Sequence, residues 1–215
     1  MSQLKSRIAE FENLWGQPHP GRRLSEPEFD RWIGEKTRAE WIDGEIEMMA
    51  PASFEHDDLS GWLRAILRYH VEQHDLGVVL GPEILVRLAK VRQKRLPDVL
   101  FIAKDRLDII HDNVIEGPPD LIVEIVSPES ADRDWLRKYA SYGQAGVREY
   151  WIIDPACEVV EAHSLSPTRG YRPLPEKLGA IHSRAIRGFF LKPEWLFASP
   201  RPKLFAILRE LGDRQ

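Results

Sequence analysis

Residues 120–154 read DLIVEIVSPESADRDWLRKYASYGQAGVREYWIID, and the order of apolar runs and breakers within them decides the fold. Leu121–Val126 is a bounded apolar run with β-branched residues, punctuated by Pro118-Pro119 before it and Ser127-Pro128 after it. That pattern predicts a central strand covered on both faces. A helix follows over about Ala131–Gly143, ended by Gly146, and Val147–Ile153 predicts a second strand closing on the Asp154-Pro155 turn. Strand, helix, strand over this length is a βαβ unit, whose two strands are parallel neighbours. Glu124 stands in the middle of the first strand. A carboxylate there loses much of its hydration and requires a cation, a metal or several hydrogen-bond donors.

Working outward, Val78–Leu88 and Leu96–Ala103 are strand-like, with the basic turn KVRQKR between them, and together predict a hairpin. Leu59, Trp62, Leu63, Ile66 and Leu67 repeat at helical spacing over about Glu55–Gln73, with His56 in the first turn beside the apolar stripe. Asp43-Gly44 between the halves of EWIDGEIEMM is a hairpin signal. Ser25 with Glu28 forms a capping-box pattern opening a helix over Glu28–Gly34. Lys104–Gly117 is a polar excursion without a clear period. Downstream, Glu158–Leu165 and Gly170–Leu174 predict another hairpin, Ile186–Leu191 a strand, and Pro202–Leu211 a short helix. The expected fold class is α/β: a mixed central sheet flanked by helices, with β-hairpins toward both ends. Residues 1–20 read as an N-terminal arm, 21–200 as the domain and 201–215 as a C-terminal helix and tail.

With 215 residues the chain can bury one substantial core, and 43% hydrophobic with 30% charged residues is ordinary for a globular protein. The net charge of −4 argues against indiscriminate coating of nucleic acid but leaves room for a local basic cleft. Cys157 is the only cysteine, which rules out an internal disulfide and fits a reducing compartment. The opening MSQLKSRIAEFENLW has no long apolar core, so no signal peptide is read, and no apolar run is long enough to span a bilayer. A cytoplasmic, soluble protein is expected. No dinucleotide-binding or phosphate-binding glycine motif appears, and no zinc-type Cys/His spacing.

Asp98 follows Pro97 at the start of the strand before Glu124. If those strands pair, two carboxylates meet at one point of a sheet. Oxygen ligands on rigid neighbouring strands suit Mg²⁺, or Mn²⁺ in its place. The plainer reading is that Asp98 caps a turn while Glu124 pairs with an arginine. Lys138 lies on the following helix between Trp135 and Tyr142, at the edge of the apolar face. Its stem can cross apolar surface and turn the ammonium toward the sheet end, or it can form a helix salt bridge with Asp134. Lys90, Arg92, Lys94 and Arg95 could touch phosphates, though a basic hairpin turn is more often a solvated tip.

Three blocks carry a resemblance: EWIDGEIEMMAPASFEH (40–56), RLPDVLFIA (95–103) and PPDLIVEIVSPESADRDWLRKYASYGQAGVREYWIIDP (118–155). The chain resembles the PD-(D/E)XK nuclease superfamily, and within it a widespread bacterial family of restriction-endonuclease-like proteins common in cyanobacteria, over roughly residues 22 to 198. The resemblance implies that Asp98 is the Asp of Pro-Asp and Glu124 the acidic residue of the second half-motif. The superfamily places its lysine two residues after that acid, where this chain has Val126. Related families supply the lysine from the following helix, which makes Lys138 the replacement. Glu40 and His56 match landmarks of the family, and Glu83, on the strand read before Asp98, is a further accessory candidate. The implied activity is Mg²⁺-dependent hydrolysis of DNA phosphodiester bonds. A nuclease fold that binds nucleic acid without turnover, and a structural or interaction protein, are the competing readings. A homodimer would let one site face each strand of a duplex.

Overall fold

A computed structural model of the chain describes residues 23–34, 37–126 and 131–212, with side chains throughout these except at 131–135. The N-terminal arm and the pairing of Asp134 with Lys138 lie outside what is described. Helix α1 (Glu26–Trp32) opens the described chain, followed by the hairpin β1 (Ala39–Ile42) and β2 (Glu45–Met48). Helix α2 (Phe54–Gln73) leads to β3 (Gly77–Leu80), β4 (Leu85–Leu88), a 3₁₀ turn (Ala89–Val91), β5 (Gln93–Arg95) and β6 (Val99–Ala103). A second 3₁₀ segment (Lys104–Ile109) precedes β7 (Ile110–His111), β8 (Val114–Glu116) and β9 (Leu121–Ile125). Then come α3 (Ala131–Ala145), β10 (Glu149–Asp154), β11 (Val159–Ser166) and β12 (Gly170–Pro173). Strands β13 (Glu176–Lys177), β14 (Ala180–His182) and β15 (Phe190–Leu191) and helices α4 (Pro193–Phe197) and α5 (Leu204–Gly212) complete it.

The main sheet runs β12-β11-β10-β9-β6-β3, a second six-stranded sheet runs β2-β1-β5-β4-β8-β7, and β13-β14-β15 form a small third one. Strands β9 and β10 are parallel neighbours joined through α3, the βαβ unit expected from the sequence. The other contacts within the main sheet are antiparallel, so the sheet is mixed. At the β1–β2 turn Asp43 (φ 47°) and Gly44 (φ 98°) both take positive φ, the backbone that the Asp-Gly pair favours in a two-residue hairpin. Glu28 reaches back to the Ser25 backbone N–H at 2.8 Å. Helix α1 begins at Glu26, ahead of the expected start, with Pro27 in its first turn, where its missing N–H costs nothing.

Alternation along the strands sorts two cores. Val99, Phe101, Leu121, Val123, Ile125, Trp151 and Ile153 face α2, where they meet Leu63, Ile66 and Leu67. Ile207 and Leu211 of α5 belong to the same layer. The intervening residues Leu100, Ile102, Ile122 and Ile152 face α3 and the second sheet, packing with Tyr142, Val86 and Ile115. Glu124 shares the parity of Ile122, so it faces α3. On β10, Glu149 is fully buried and accepts from the Arg184 and Ala185 N–H groups at 2.6 and 2.9 Å and from the Trp151 indole at 2.7 Å. These bonds tie the chain ahead of β15 to the sheet.

The segment read as one strand from Val78 to Leu88 is two. It breaks at Gly81-Pro82: β3 pairs with β6 in the main sheet, while β4 pairs with β5 in the second. The antiparallel relation is as expected, but each half belongs to a different layer. Gly77 starts β3 at φ 150°, and a Cβ there would lie 2.1 Å from the Ile102 carbonyl oxygen. Gly77→Ala should therefore cost about 1–3 kcal/mol of stability. An unchanged urea midpoint would show that the β3–β6 contact yields without strain.

Candidate functional site

Candidate site residues arrive from four elements at one end of β9. Pairing of Val99 with Val123 in the antiparallel β6–β9 register brings Asp98, one step further on, beside Glu124. Asp98 Oδ2 accepts the Ile125 backbone N–H at 2.7 Å, which extends the ladder and fixes the carboxylate. Ser53 caps α2 by accepting the His56 N–H at 3.2 Å, so His56 leaves the first turn in a set direction. The His56 Nε2 lies 3.2 Å from both Asp98 Oδ2 and the Ile125 carbonyl oxygen. Both partners are acceptors, so Nε2 carries the proton. The hydrogen bond to Asp98 raises the imidazole pKa above its ordinary value, against the opposing pull of burial.

Glu124 is 7% exposed, and helix α3 satisfies both of its oxygens. Lys138 Nζ lies 3.0 Å from Oε2, and the Tyr142 hydroxyl donates to Oε1 at 2.6 Å. The turn of the ammonium toward the sheet end is thus observed. Val126 only packs, its N–H donating to the Ile153 carbonyl at 2.8 Å. Burial pushes the Glu124 carboxyl up to about 7, aided by the charges of Asp98 and Glu40 and resisted by Lys138 and Tyr142. The Tyr142 phenol is raised well above its usual value by burial and then by the Glu124 charge, so it stays a donor.

Glu40 underlies this cluster. It is 1% exposed, accepts from Arg95 Nη1 at 2.6 Å and takes the Leu96 N–H at 2.8 Å. Burial acts to raise its pKa, but the positive charges of Lys138 and Arg95 hold it below the ordinary value. Through Leu96 it sets the chain two residues before Asp98, linking β1 of one sheet to the start of β6 in the other.

The remaining nominated residues lie elsewhere or act differently. Glu83 sits in the turn between β3 and β4, exposed, 3.5 Å from Arg38. The expected solvated basic tip is partly interior. Lys94 is buried and pairs with Asp30 and, at 3.3 Å, with Glu26, because α1 folds over β5. Arg95 is 1% exposed and committed to Glu40. Arg92 pairs with Asp43 at 2.6 Å and lies over the Trp41 ring, and Lys90 is exposed in the 3₁₀ turn. Tyr142 is the site residue that sequence reasoning did not nominate. Its signal was the spacing of four from Lys138, which puts both on one helix face.

The candidate ligands are carboxylate and carbonyl oxygens, the donor type that hard divalent cations take. Asp98 Oδ2 and the Ile125 carbonyl converge on one point, the His56 Nε2 proton. Each Glu124 oxygen, having accepted one hydrogen bond, keeps a second lone pair. Among the described residues no group of three or more His, Cys, Asp or Glu side chains is placed to hold a metal. A set of one or two carboxylates completed by water is nevertheless what Mg²⁺ commonly takes.

Raised pKa and burial together give a pH dependence. A carboxyl at about 7 in the folded state and 4.5 otherwise binds more protons when folded, so its contribution falls as pH climbs between those values. In EDTA, the melting temperature of the parent minus that of Glu124→Gln should therefore decline from about pH 4.5 to about pH 7. A difference that stays level across this window in scanning calorimetry would contradict the buried, raised carboxyl.

The mixed sheet and its flanking helices have the architecture of restriction-endonuclease-like proteins. The family Uma2, described as "Putative restriction endonuclease", matches residues 26–192, and the chain belongs to this family. It is 27% identical over 125 residues to the uncharacterized protein sll1609 of Synechocystis sp. (strain ATCC 27184 / PCC 6803 / Kazusa), covering 58% of this chain and 70% of that protein. The fold is similar to the crystal structure of a putative nuclease belonging to DUF820 from Anabaena variabilis ATCC 29413. The TM-score is 0.69 and the identity 17%, over 81% of this chain and 97% of that one. No helix among the described residues is long and apolar enough to cross a membrane.

Proposed function

We propose that the protein is a Mg²⁺-dependent endonuclease that hydrolyses DNA phosphodiester bonds, with Asp98 and Glu124 holding the ion and Mn²⁺ able to replace it. The observation that carries this reading is a buried glutamate on one strand beside an aspartate at the mouth of its paired neighbour, in a chain of a nuclease-like family. A divalent ion there supplies Lewis-acid polarisation of the phosphate and eases deprotonation of water. Lys138 balances Glu124 and supplies positive charge near the reacting phosphate. His56 orients Asp98, and Glu40 with Arg95 sets the strand start that carries Asp98. Two copies about a twofold axis would present one site to each strand.

The test is cleavage of plasmid DNA in Mg²⁺, in Mn²⁺ and in EDTA, by the parent, Asp98→Asn and Lys138→Met. Metal-dependent nicking that Asp98→Asn lacks is expected. Lys138→Met retains much of the stem's packing and should slow single-turnover cleavage about 10²–10³-fold, the usual loss for one well-placed electrostatic contact. Asp98→Asn that nicks like the parent would refute the assignment, and a Lys138→Met rate close to the parent's would make Lys138 structural.

A second reading has its own observation. The His56 N–H and the Lys138 ammonium already face the two carboxylates, so each carboxylate has a donor without an ion. A nuclease fold that binds nucleic acid without turnover would use the site in that state. Salt-dependent DNA binding with no metal-dependent cleavage would favour it.

A further inference from the structure

We propose that Tyr142 is a positioning residue for the cation site: with Lys138, one helical turn before it, its phenol fixes the Glu124 carboxylate so that the remaining lone pairs face a divalent ion. This rests on the reading of Asp98 and Glu124 as that site. A glutamate side chain has three torsions, and the last is broad. Left alone at a strand end, its carboxylate would sample many orientations, and few would direct lone pairs toward Asp98. Here each oxygen is held by its own donor, at 2.6 Å from Tyr142 and 3.0 Å from Lys138, and both donors stand on one face of α3. Two fixed points set the plane of the carboxylate.

Tyr142 is itself held. It is fully buried, and its ring meets Tyr150 edge-on, with centroids 5.1 Å apart and planes at 68°. Tyr150 lies on β10, the strand hydrogen-bonded beside β9. The phenol is therefore oriented by the same sheet that carries Glu124, and no surface rotamer has to be frozen when an ion arrives. Partners of this kind, which orient a metal ligand without touching the metal, typically contribute 10–100-fold to affinity. Phenylalanine at 142 would retain the ring packing and remove only the hydrogen bond.

The experiment titrates Mn²⁺ calorimetrically into the full-length chain without nucleic acid, for the parent, Tyr142→Phe and Glu124→Gln. The parent should bind, Glu124→Gln should not, and Tyr142→Phe should bind about 10–100-fold more weakly. A Tyr142→Phe affinity equal to the parent's, with Glu124→Gln silent, overturns the role of Tyr142 and leaves the cation site standing. A parent that binds no Mn²⁺, or a Glu124→Gln variant that binds like the parent, removes the site and this inference with it. If Tyr142→Phe does not fold, paramagnetic broadening in the parent decides. Bound Mn²⁺ must broaden the Tyr142 ring resonances more than those of Tyr139 and Tyr171, which pack around His163. Equal broadening overturns the proposal.

Discussion

Glu124→Gln should abolish metal-dependent cleavage while leaving the fold in place. The amide has nearly the shape of the carboxylate but lacks the charge that a divalent ion requires. It also offers only one acceptor oxygen where Lys138 and Tyr142 now find two. One of those donors then faces an NH₂ group, and the ammonium still lies in the field of Glu40. The rate loss expected from one essential electrostatic group is at least about 10²–10³-fold. Plasmid cleavage is the measurement, with circular dichroism reporting the fold. Purified mutant protein that cleaves at the parent rate would end the case for metal-dependent hydrolysis at this position.

Arg95→Met should be the most destabilising of the changes considered. Arg95 and Glu40 are each 1% exposed and meet at 2.6 Å, with the Gln93 side chain accepting from Arg95 Nε at 2.9 Å. Removing one partner of a buried pair leaves the other charge uncompensated, at a cost of about 3–5 kcal/mol. Lys138 softens this but cannot replace the contact, because its ammonium is committed to Glu124. Adding Glu40→Gln to Arg95→Met should recover part of the loss, since replacing both charges spares the stranded one. Urea unfolding of the two single variants and the double variant measures this. A loss for Arg95→Met below about 1 kcal/mol, the scale of exposed ion pairs, would show that water reaches the pair.

The parts of the site legible in the sequence were those whose signal is local. Glu124 stands out because a charge interrupts an apolar run, and Asp98 because it follows Pro97 at the mouth of another. Helical spacing puts Lys138 at the edge of the apolar face, and the family resemblance, with Val126 in the usual lysine position, singles it out. The break in Val78–Leu88 was also written locally, as Gly81-Pro82, but the apolar residues on either side suggested one continuous strand. What could not be read depends on distant partners. Lys94 and Arg95 look like a solvated tip until α1 brings Glu26 and Asp30 to one and β1 brings Glu40 to the other. Strand β8 is three residues long, too short to leave a period, and is defined by its pairing, parallel with β4 and antiparallel with β7.

The buried carboxylate of Glu149 limits how far the chain can be shortened. Two of its donors, the backbone N–H groups of Arg184 and Ala185, come from beyond the last strand of the main sheet. A chain cut before Arg184 would contain every residue assigned to the candidate site, yet leave an acid sealed in the core with two of its donors gone and the Ser183 side chain and Trp151 indole remaining. The same cut would strip Phe189, whose ring centroid lies 6.2 Å from that of Trp151, together with Trp195, Ile207 and Leu211 from the same core layer. The smallest cooperative unit that supports the βαβ segment therefore reaches through α5, well past the last residue of the candidate site.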